Sequence, residues 1–316
     1  MESGPRVTVG LAVYNGENFL ADALRSLVEQ DYRDMEILIG DNASTDGTLA
    51  ICDGFAERDA RIRIVRSDEN RGLSWNHNRL LPEARGEYFK WAAHDDRYLP
   101  SFVSTCVDVL DRHRDVVLCY TNTVDIDADD EFMKAWPTTN RASSTDPVDR
   151  FRDVLMNERQ CFPIYGVMRT EAVRSSTVLM GNYAGSDHPL LAELALKGRF
   201  VEVPEVLFEH REHAERSITA YPNPRDRIVL YRPTEAGKVT FPRWSMAFGY
   251  VKVVVRSSLP LGSKARALIS LGPWAKMWWR PLVLGVPGGL RYALRRRRAV
   301  GPVGVGRGAD RPERAS

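Results

Sequence analysis

The chain lacks the sequence signatures of several large enzyme classes. No Gly-x-Gly-x-x-Gly follows the first predicted strand, where Tyr14 to Asn18 contains one glycine, and this disfavours a dinucleotide-dependent oxidoreductase. There is also no Walker A sequence and no Gly-x-Ser-x-Gly nucleophile turn, which disfavours a P-loop enzyme and an α/β-hydrolase. Other residues must therefore carry the function.

Cysteines are few, and long apolar runs are absent. The four cysteines, Cys52, Cys106, Cys119 and Cys161, are isolated and show no Cys-x-x-Cys spacing, which is typical of reduced core thiols. No stretch reaches the roughly 18 uninterrupted apolar residues of a spanning helix. The polar segment from Met1 to Arg6 does not resemble a signal peptide. These features predict a reducing, cytoplasmic setting.

Three apolar segments in the amino-terminal half predict buried parallel strands, and each runs into a polar loop that contains glycine. The strands cover Val7 to Val13, Met35 to Ile39 and Ile62 to Val65, and the loops include Tyr14 to Asn18, Asp41 to Thr48, and Asn70 to Ser74. The carboxyl ends of parallel strands gather along one edge of a sheet, where ligands bind. We therefore expect a nucleotide site at this edge, in one large α/β domain with an appendage.

A fourth apolar strand, beginning at Tyr88, runs directly into the adjacent acids Asp95 and Asp96. Two neighbouring carboxylates repel each other and lose hydration, so a divalent cation is one reason to keep them there. The alternative is a helix cap, because Pro100 follows in a position that proline favours at the start of a helix. These residues alone do not decide between the two interpretations.

The ordered set of these motifs resembles family 2 glycosyltransferases. The motifs are Tyr14-Asn15 after the first strand, Asp41 after the second, the Ser44 to Thr48 turn, Asn70 with Gly72, and Asp95-Asp96. The match spans roughly the first 130 residues and weakens toward residue 220. It implies a GT-A fold, a Rossmann-like mixed sheet flanked by helices, that binds a nucleotide-sugar and usually Mg²⁺ or Mn²⁺.

The resemblance implies donor-binding roles for the loops at the sheet edge. Asp41 would accept a hydrogen bond from the base of the nucleotide, Tyr14 would pack near that base, and Asn15 would shape the loop. Asn70 and Gly72 belong to the same donor site. A turn-forming role is the alternative for Asp41.

The resemblance also implies roles for the acidic pair and for the loop near residue 211. Asp95 would lie beside the ribose and diphosphate, and Asp96 would ligate the cation that stabilises the leaving diphosphate. In the segment from Glu209 to Ser217, Arg211 would pair with the diphosphate and His213 would complete the metal site.

The acceptor hydroxyl needs a general base. Family members usually place this base as an Asp at the start of a helix, and Asp187, followed by Pro189 and an apolar helical pattern, matches that element. Base and leaving group would lie on opposite faces of the sugar, so the reaction would invert the anomeric centre. A helix N-cap is the alternative role for Asp187.

Charge divides the chain into two parts. Residues 225–316 contain 19 Lys and Arg against 4 Asp and Glu, a net charge of +15, whereas residues 1–224 carry −13. Trp274, Trp278 and Trp279 stand beside cations, which suits helices lying on an anionic membrane. The alternative is an ordinary helical subdomain with its Trp residues packed inward. No nucleic-acid module accompanies the basic segment, so we expect no nucleic-acid partner.

The sequence thus predicts a GT-A domain over residues 1–224, with a donor half at about 1–120 and an acceptor half at about 121–224. A basic, aromatic-rich helical extension over 225–300 and a disordered tail over 301–316 would follow. The predicted function is inverting, metal-dependent transfer of a sugar to a saccharide or lipid-linked acceptor, in cell-envelope or extracellular polysaccharide synthesis at the inner membrane face. A GT-A nucleotidyltransferase and a catalytically impaired nucleotide-sugar-binding protein remain the alternatives.

Overall fold

The structure of the chain is a computed structural model that describes residues 4–158, 161–223, 226–235 and 240–283. Its strands are β1 (Val7–Val13), β2 (Met35–Asp41), β3 (Ile62–Arg66), β4 (Tyr88–Ala92), β5 (Arg97–Tyr98), β6 (Val116–Ile126), β7 (Phe132–Ala135), β8 (Val167–Arg169) and β9 (Arg199–Arg211). The helices in the first 200 residues are α1 (Leu20–Val28), α2 (Thr48–Ala56), α3 (Leu73–Glu83), α4 (Phe102–Arg112), α5 (Pro147–Met156), α6 (Thr170–Arg174) and α7 (Asp187–Lys197). The later helices are α8 (Ser217–Ala220), α9 (Ile228–Tyr231), α10 (Pro242–Arg256), α11 (Leu261–Ile269), α12 (Leu271–Met277) and α13 (Trp279–Val283), and short 3₁₀ turns cover Phe162–Tyr165 and Pro233–Glu235.

All nine strands belong to one mixed sheet, with the order β3-β2-β1-β4-β8-β6-β9-β5 and β7 paired to β6. β1 runs parallel to both β2 and β4, and β2 runs parallel to β3. The predicted amino-terminal strands are thereby confirmed. Because these four strands are parallel, the loops that follow them meet at one edge of the sheet, as the sequence predicts.

Helices cover both faces of the sheet. On one face, α1, α2 and α4 pack against the strands through one hydrophobic cluster. α1 shows the reason, since its buried residues Leu20, Ala23, Leu24 and Leu27 recur at helical spacing while Arg25 points outward. On the other face, α5, α7 and α10 share a second cluster with the strands. The fold is therefore a three-layer α/β/α arrangement.

α7 is enclosed by the protein around its whole circumference. Every residue from Pro189 to Leu196 is buried, because α5, α6, α10 and β6 surround the helix. This enclosure fixes the first turn of α7, and with it Asp187, relative to the sheet.

The carboxyl-terminal helices extend this core. Tyr250 on α10 and Trp274 on α12 are buried, and both donate a hydrogen bond to the Glu158 carboxylate, at 2.6 and 2.5 Å. Arg243 forms an ion pair with the same carboxylate at 2.5 Å. The expectation that Trp274 faces a membrane is thus wrong, because its ring packs inward, whereas Trp279 is half exposed.

The described helices of the basic extension therefore share the core of the preceding domain. Among the described residues, no helix combines the length and the apolar character needed to cross a membrane. Residues 284–300 of the extension and the predicted disordered tail, 301–316, lie outside the described residues.

Candidate active site

A cleft of about 1300 Å³ opens at the carboxyl ends of β1, β2 and β4. Its lining includes residues from the loops after these strands, from the first turn of α7, from the loop after β9, and from the segment that leads into α10. Among the predicted site residues, those that line it are Tyr14, Asn15, Asn70, Asp95, Asp96, Asp187 and His213. The fold therefore brings most of the predicted residues into one cavity, although they are up to 199 positions apart in the sequence.

Asn15 holds the loops after β1 and β2 together. Its Oδ1 accepts a hydrogen bond from the backbone N–H of Thr45 at 2.8 Å, and its own N–H donates to Ser44 Oγ at 3.0 Å. The backbone of Asn15 has a positive φ of 50°, which asparagine tolerates better than most residues. Tyr14, the preceding residue, remains 42% exposed beside the cleft. Asn15 thus shapes the loop, and the Tyr14 ring is free to contact a ligand.

Asp41 lies beneath the cleft. It is 1% exposed, and both of its carboxylate oxygens accept from the backbone N–H of Ser44 at 3.3 Å. This is the turn-forming geometry of the alternative interpretation. A contact between Asp41 and a nucleotide base stays a prediction.

Asn42, which the sequence analysis did not single out, connects the loop after β2 to the loop after β3. Its Nδ2 donates to Asn70 Oδ1 at 2.8 Å, and its Oδ1 accepts from the backbone of Arg71 at 3.1 Å. Asn70 Oδ1 also accepts from the N–H of Gly72 at 3.0 Å. Gly72 has a φ of 92°, and a Cβ at this position would collide with the backbone carbonyl of Tyr231. Asn70 and Gly72 therefore maintain the loop, and Asn42 and Asn70 present amides to the cleft.

Asp95 and Asp96 are held by the loop that follows β9. Oδ2 of Asp95 lies 2.9 Å from His213 Nε2, and Oδ1 of Asp96 accepts from the backbone N–H of Arg211 at 2.9 Å. Burial by itself would raise the pKa of Asp95, but the hydrogen bond from His213 and the nearby His94 lower it to about 2. Burial raises the pKa of Asp96 to about 7, and the charge of Asp95 adds to this effect. The two neighbouring carboxyls thus differ in their proton affinity.

The donor set at this point fits a hard divalent cation. Oδ2 of Asp96 forms no hydrogen bond with any described residue, although the side chain is buried at the wall of the cleft. Such a carboxylate oxygen is the ligand that Mg²⁺ and Mn²⁺ prefer. His213 pairs with Asp95, so it orients that carboxylate, while Asp125, His210 and Glu212 bring a further group of ligand atoms within 4.8 Å of one another.

Arg211 is buried behind the acidic pair and does not line the cleft. Its Nε donates to the backbone carbonyl of Asp95 at 2.9 Å, and its Nη1 forms an ion pair with Asp130 at 2.5 Å. The guanidinium also packs over the Phe19 ring, 4.8 Å from the centroid. This geometry favours a supporting role, in which Arg211 fixes the backbone of Asp95. The cation that lines the cleft on this loop is Arg216, which sequence reasoning missed.

Asp187 is the first residue of α7, and its neighbours are polar. Ser186 occupies the N-cap position without a side-chain cap, and the Asp187 carboxylate accepts from the adjacent His188 N–H at 3.2 Å. A capping side chain instead bonds the N–H two or three residues further along the helix. Asp187, His188 and Cys161 bring their ligand atoms within 4.8 Å of one another at the cleft wall. The N-cap alternative is therefore disfavoured, and the carboxylate is available to a ligand.

Tyr165 and His77 also line the cleft. Burial raises the pKa of Tyr165 well above its ordinary value, and the charges of Asp96, Asp95 and Asp187 raise it further. Burial lowers the pKa of His77, whose Nδ1 is 2.9 Å from the Leu73 carbonyl oxygen. Tyr165 thus lies within electrostatic range of all three carboxylates.

The mixed sheet and the position of the cleft define the GT-A class of glycosyltransferase folds. A fragment of S. aureus TarS, residues 1–349, in complex with UDP-GlcNAc superposes with a TM-score of 0.64 at 16% identity, over 87% of this chain and 74% of that one. The mannosyltransferase PcManGT from Pyrobaculum calidifontis, in complex with GDP-Man and Mn²⁺, superposes with a TM-score of 0.53 at 17% identity, over 96% and 77% of the two chains.

The sequence comparison gives the family. The model of glycosyl transferase family 2 matches residues 8–174, more than half of the chain, and the chain belongs to this family. The Bacillus subtilis protein EpsE, named as a glycosyltransferase, is 36% identical over 115 residues, which are 36% of this chain and 41% of EpsE. TuaG of the same organism, named for teichuronic acid biosynthesis, is 33% identical over 94 residues, which are 30% and 37% of the two chains. The chain thus aligns with less than half of either relative.

Proposed function

We propose that this chain transfers a sugar from a nucleotide-diphosphate donor to a hydroxyl of a saccharide or lipid-linked acceptor, with inversion at the anomeric carbon. The observation that carries the proposal is the presence of Asp187, Asp95 and Asp96 in one cleft, on separate elements of a GT-A fold. One carboxylate can thus serve the acceptor while the other two serve the donor.

The donor would bind along the loops after β1, β2 and β4. Tyr14 offers an exposed aromatic surface for the base, and Asn42 and Asn70 offer amides at the same wall. The acidic pair would face the diphosphate, and Asp96, with Asp95 beside it, would hold the cation. A bound Mg²⁺ or Mn²⁺ would neutralise the negative charge that develops on the leaving diphosphate. The structure of PcManGT, which is in complex with GDP-Man and Mn²⁺, supports this use of a metal.

Asp187 would act as the general base. Its carboxylate takes the proton of the acceptor hydroxyl while the hydroxyl oxygen attacks the anomeric carbon. The bond between that carbon and the diphosphate oxygen breaks on the opposite face, and the nucleoside diphosphate leaves with the electron pair. Arg216, which lines the cleft beside the acidic pair, would stabilise the departing phosphate as a charge-assisted hydrogen-bond donor.

The similarity to TuaG, which is named for teichuronic acid biosynthesis, supports a role in polysaccharide synthesis. We therefore place the acceptor among the precursors of cell-envelope or extracellular polysaccharides. The reaction would run at the cytoplasmic face of the cell membrane, and the basic carboxyl-terminal helices support this location.

A panel of UDP-, dTDP- and GDP-sugars with Mn²⁺ tests the proposal. We expect the nucleotide-sugars of one class to raise the melting temperature of the chain. Without an acceptor, the chain should hydrolyse them slowly and release nucleoside diphosphate. Release of pyrophosphate from a nucleoside triphosphate would instead identify a nucleotidyltransferase. Stabilisation without any turnover, with a range of saccharide acceptors present, would favour a binding protein.

A further inference from the structure

Helix α10 is apolar on two opposite faces, and the residues that the structure describes cover only one of them. The inner face, with Met246, Tyr250, Val253 and Val254, is buried against α7 and its neighbours. Gly249 permits this close packing, because a Cβ there would come within 3.0 Å of the Pro189 side chain. The inner face therefore accounts for the attachment of α10 to the catalytic domain.

The outer face of α10 carries a second apolar stripe. Trp244, Phe248, Val251 and Val255 recur at intervals of four, three and four residues and are 41%, 66%, 39% and 55% exposed. The Trp244 indole N–H already donates to the Leu282 carbonyl at 3.0 Å, so its polar group is satisfied while the ring surface stays open. Apolar side chains on α11 and α13 are exposed as well, among them Leu261, Ile269 and Trp279. A contiguous apolar stripe of this kind marks an interaction site.

The charged residues on helices α10 to α13 are of one sign. Residues 240–283 contain seven Lys and Arg and no Asp or Glu. Lys252, Arg256, Lys276 and Arg280 are exposed, and none of them forms an ion pair with a described residue. The occupant of the surface must therefore be apolar and negatively charged. A second copy of this chain fits poorly, because a symmetric contact would bring the same cations together.

We infer that the outer face of α10, together with the exposed apolar and basic side chains of α11 to α13, docks onto an anionic lipid bilayer. Exposed Trp and Phe would enter the boundary between headgroups and acyl chains, while Lys and Arg meet the lipid phosphates. The inward-packed Trp274 is compatible with this arrangement, because it fixes the helices that present the surface.

The docking surface reaches the mouth of the cleft. Trp244, Trp278 and Pro281 line the cleft as well as belonging to this helical region. Docking would hold that mouth close to the bilayer, where the saccharide of a lipid-linked acceptor is displayed. This part of the inference rests on the proposed glycosyl transfer and selects the lipid-linked acceptor over the free saccharide.

Flotation of the full chain with vesicles tests the docking. The vesicles contain phosphatidylcholine with one quarter phosphatidylglycerol, or phosphatidylcholine alone. We expect the wild type to float with the anionic vesicles at low salt and to be partly released by high salt. The double variant Phe248→Glu/Val255→Glu should bind at least about tenfold more weakly, since both changes place a charge at the lipid boundary. The matched control is Phe132→Glu/Met133→Glu on β7, whose side chains have the same exposures of 66% and 55% but lie outside the basic region.

The outcomes separate the docking from the catalysis. Hydrolysis of the nucleotide-sugar, measured as release of nucleoside diphosphate, should be unchanged in Phe248→Glu/Val255→Glu, because neither residue lines the cleft. A wild type that stays in the soluble fraction, or a double variant that floats like the control, would overturn the inference. Sedimentation velocity that shows a wild-type dimer, dissociated by the double variant, would also overturn it and assign the face to a second copy. Loss of nucleoside diphosphate release in every protein, with docking intact, would contradict the proposed function alone.

Discussion

Nε2 of His213 lies 2.9 Å from Oδ2 of Asp95, and this contact joins the loop after β9 to the loop after β4. The backbone of Arg211 makes a parallel contact with Asp96 in the same two loops. The acidic pair is thus positioned by a segment more than 110 residues away in the sequence. Its charge and orientation depend on that segment, which accounts for the lowered pKa of Asp95.

Asp96→Asn should weaken the metal-dependent part of donor binding by tenfold or more (~1.4 kcal/mol), while the melting temperature stays close to that of the wild type. The Asn carbonyl still accepts from the Arg211 N–H, but it is a weaker ligand than a carboxylate. Titration of the matching nucleotide with and without Mn²⁺ provides the measurement. Asp129→Asn, an exposed carboxylate outside the cleft, is the control. Equal Mn²⁺ dependence in Asp96→Asn and wild type would remove Asp96 from the metal site.

Replacement of Arg211 should mainly lower stability, whereas replacement of Arg216 should mainly lower donor affinity. Arg211→Ala removes the hydrogen-bond donor of the Asp95 and Asp127 backbone carbonyls and one of the two cations paired with Asp130, which keeps its ion pair with Arg97. It should therefore lower the free energy of unfolding by at least about 2 kcal/mol. Arg216→Ala should change stability by less than about 0.5 kcal/mol but weaken donor binding about tenfold. Urea unfolding and nucleotide titration of both variants check this. A stable Arg211→Ala protein with weakened donor binding would restore the direct diphosphate contact predicted from the sequence.

Lys90 gives a pH-dependent prediction. Its amine is fully buried, lies 3.3 Å from the centroid of the Tyr98 ring and has no hydrogen-bond partner among the described residues. Burial lowers its pKa well below the ordinary value. Between the folded and unfolded pKa values, the unfolded chain therefore binds a proton that the folded chain does not, and this linkage makes wild-type stability rise with pH through that range, up to about 10.4.

Lys90→Met removes that proton and keeps the shape of the side chain. It should raise the free energy of unfolding at pH 7 by about 1–3 kcal/mol, and the gain should shrink at pH 9. Urea unfolding at both pH values is the measurement. Lys134→Met, at an exposed lysine 3.5 Å from the centroid of the Trp136 ring, is the matched control. A gain that does not depend on pH would show that the amine is not neutralised on folding.

Trp274 is buried and Trp279 is half exposed, so replacing them with Ala should destabilise the chain by different amounts. Trp274→Ala removes a buried ring and a hydrogen bond to Glu158, so it should destabilise the chain by about 3–5 kcal/mol. Trp279→Ala, at 49% exposure, should cost less than about 1 kcal/mol. Thermal unfolding of the two variants in the absence of lipid decides the point. Similar losses would show that α12 does not pack as described.

The sequence predicted the sheet edge because parallel buried strands are short apolar runs, and their loops must meet at one edge. Asp187 and His213 were placed in the cleft by resemblance, and the structure brings both there. Asn42 and Arg216 were missed, since polar loop residues carry no periodicity that reveals their direction. The burial of Arg211 also depends on Asp130 and Phe19, which are distant in the sequence.

The carboxyl-terminal helices show a second limit of sequence patterns. α10 is apolar on both faces, so its sequence does not distinguish the face on the protein from the face in solvent. Trp274, on α12, was assigned to the wrong side because its sequence neighbours do not reveal its partners, Tyr250 and Glu158. The packing partner, α7, becomes visible only in the tertiary structure.

Asp187→Asn should leave donor binding and the melting temperature unchanged but lower turnover by roughly 10² or more, because the amide does not accept the proton of the acceptor hydroxyl. Asp149→Asn is the control, since Asp149 is also acidic in the first turn of a helix and lies outside the cleft. A variant that turns over normally but melts at lower temperature would assign Asp187 a structural role.

The stereochemistry of donor cleavage tests the central claim most directly and needs no knowledge of the acceptor. Proton NMR follows the anomeric signals while the wild type hydrolyses an α-linked nucleotide-sugar of the class that stabilises it. The account predicts that the β-anomer of the free sugar appears first, before mutarotation, and that Asp187→Asn suppresses this signal. Initial release of the α-anomer would contradict single in-line displacement with Asp187 as the base.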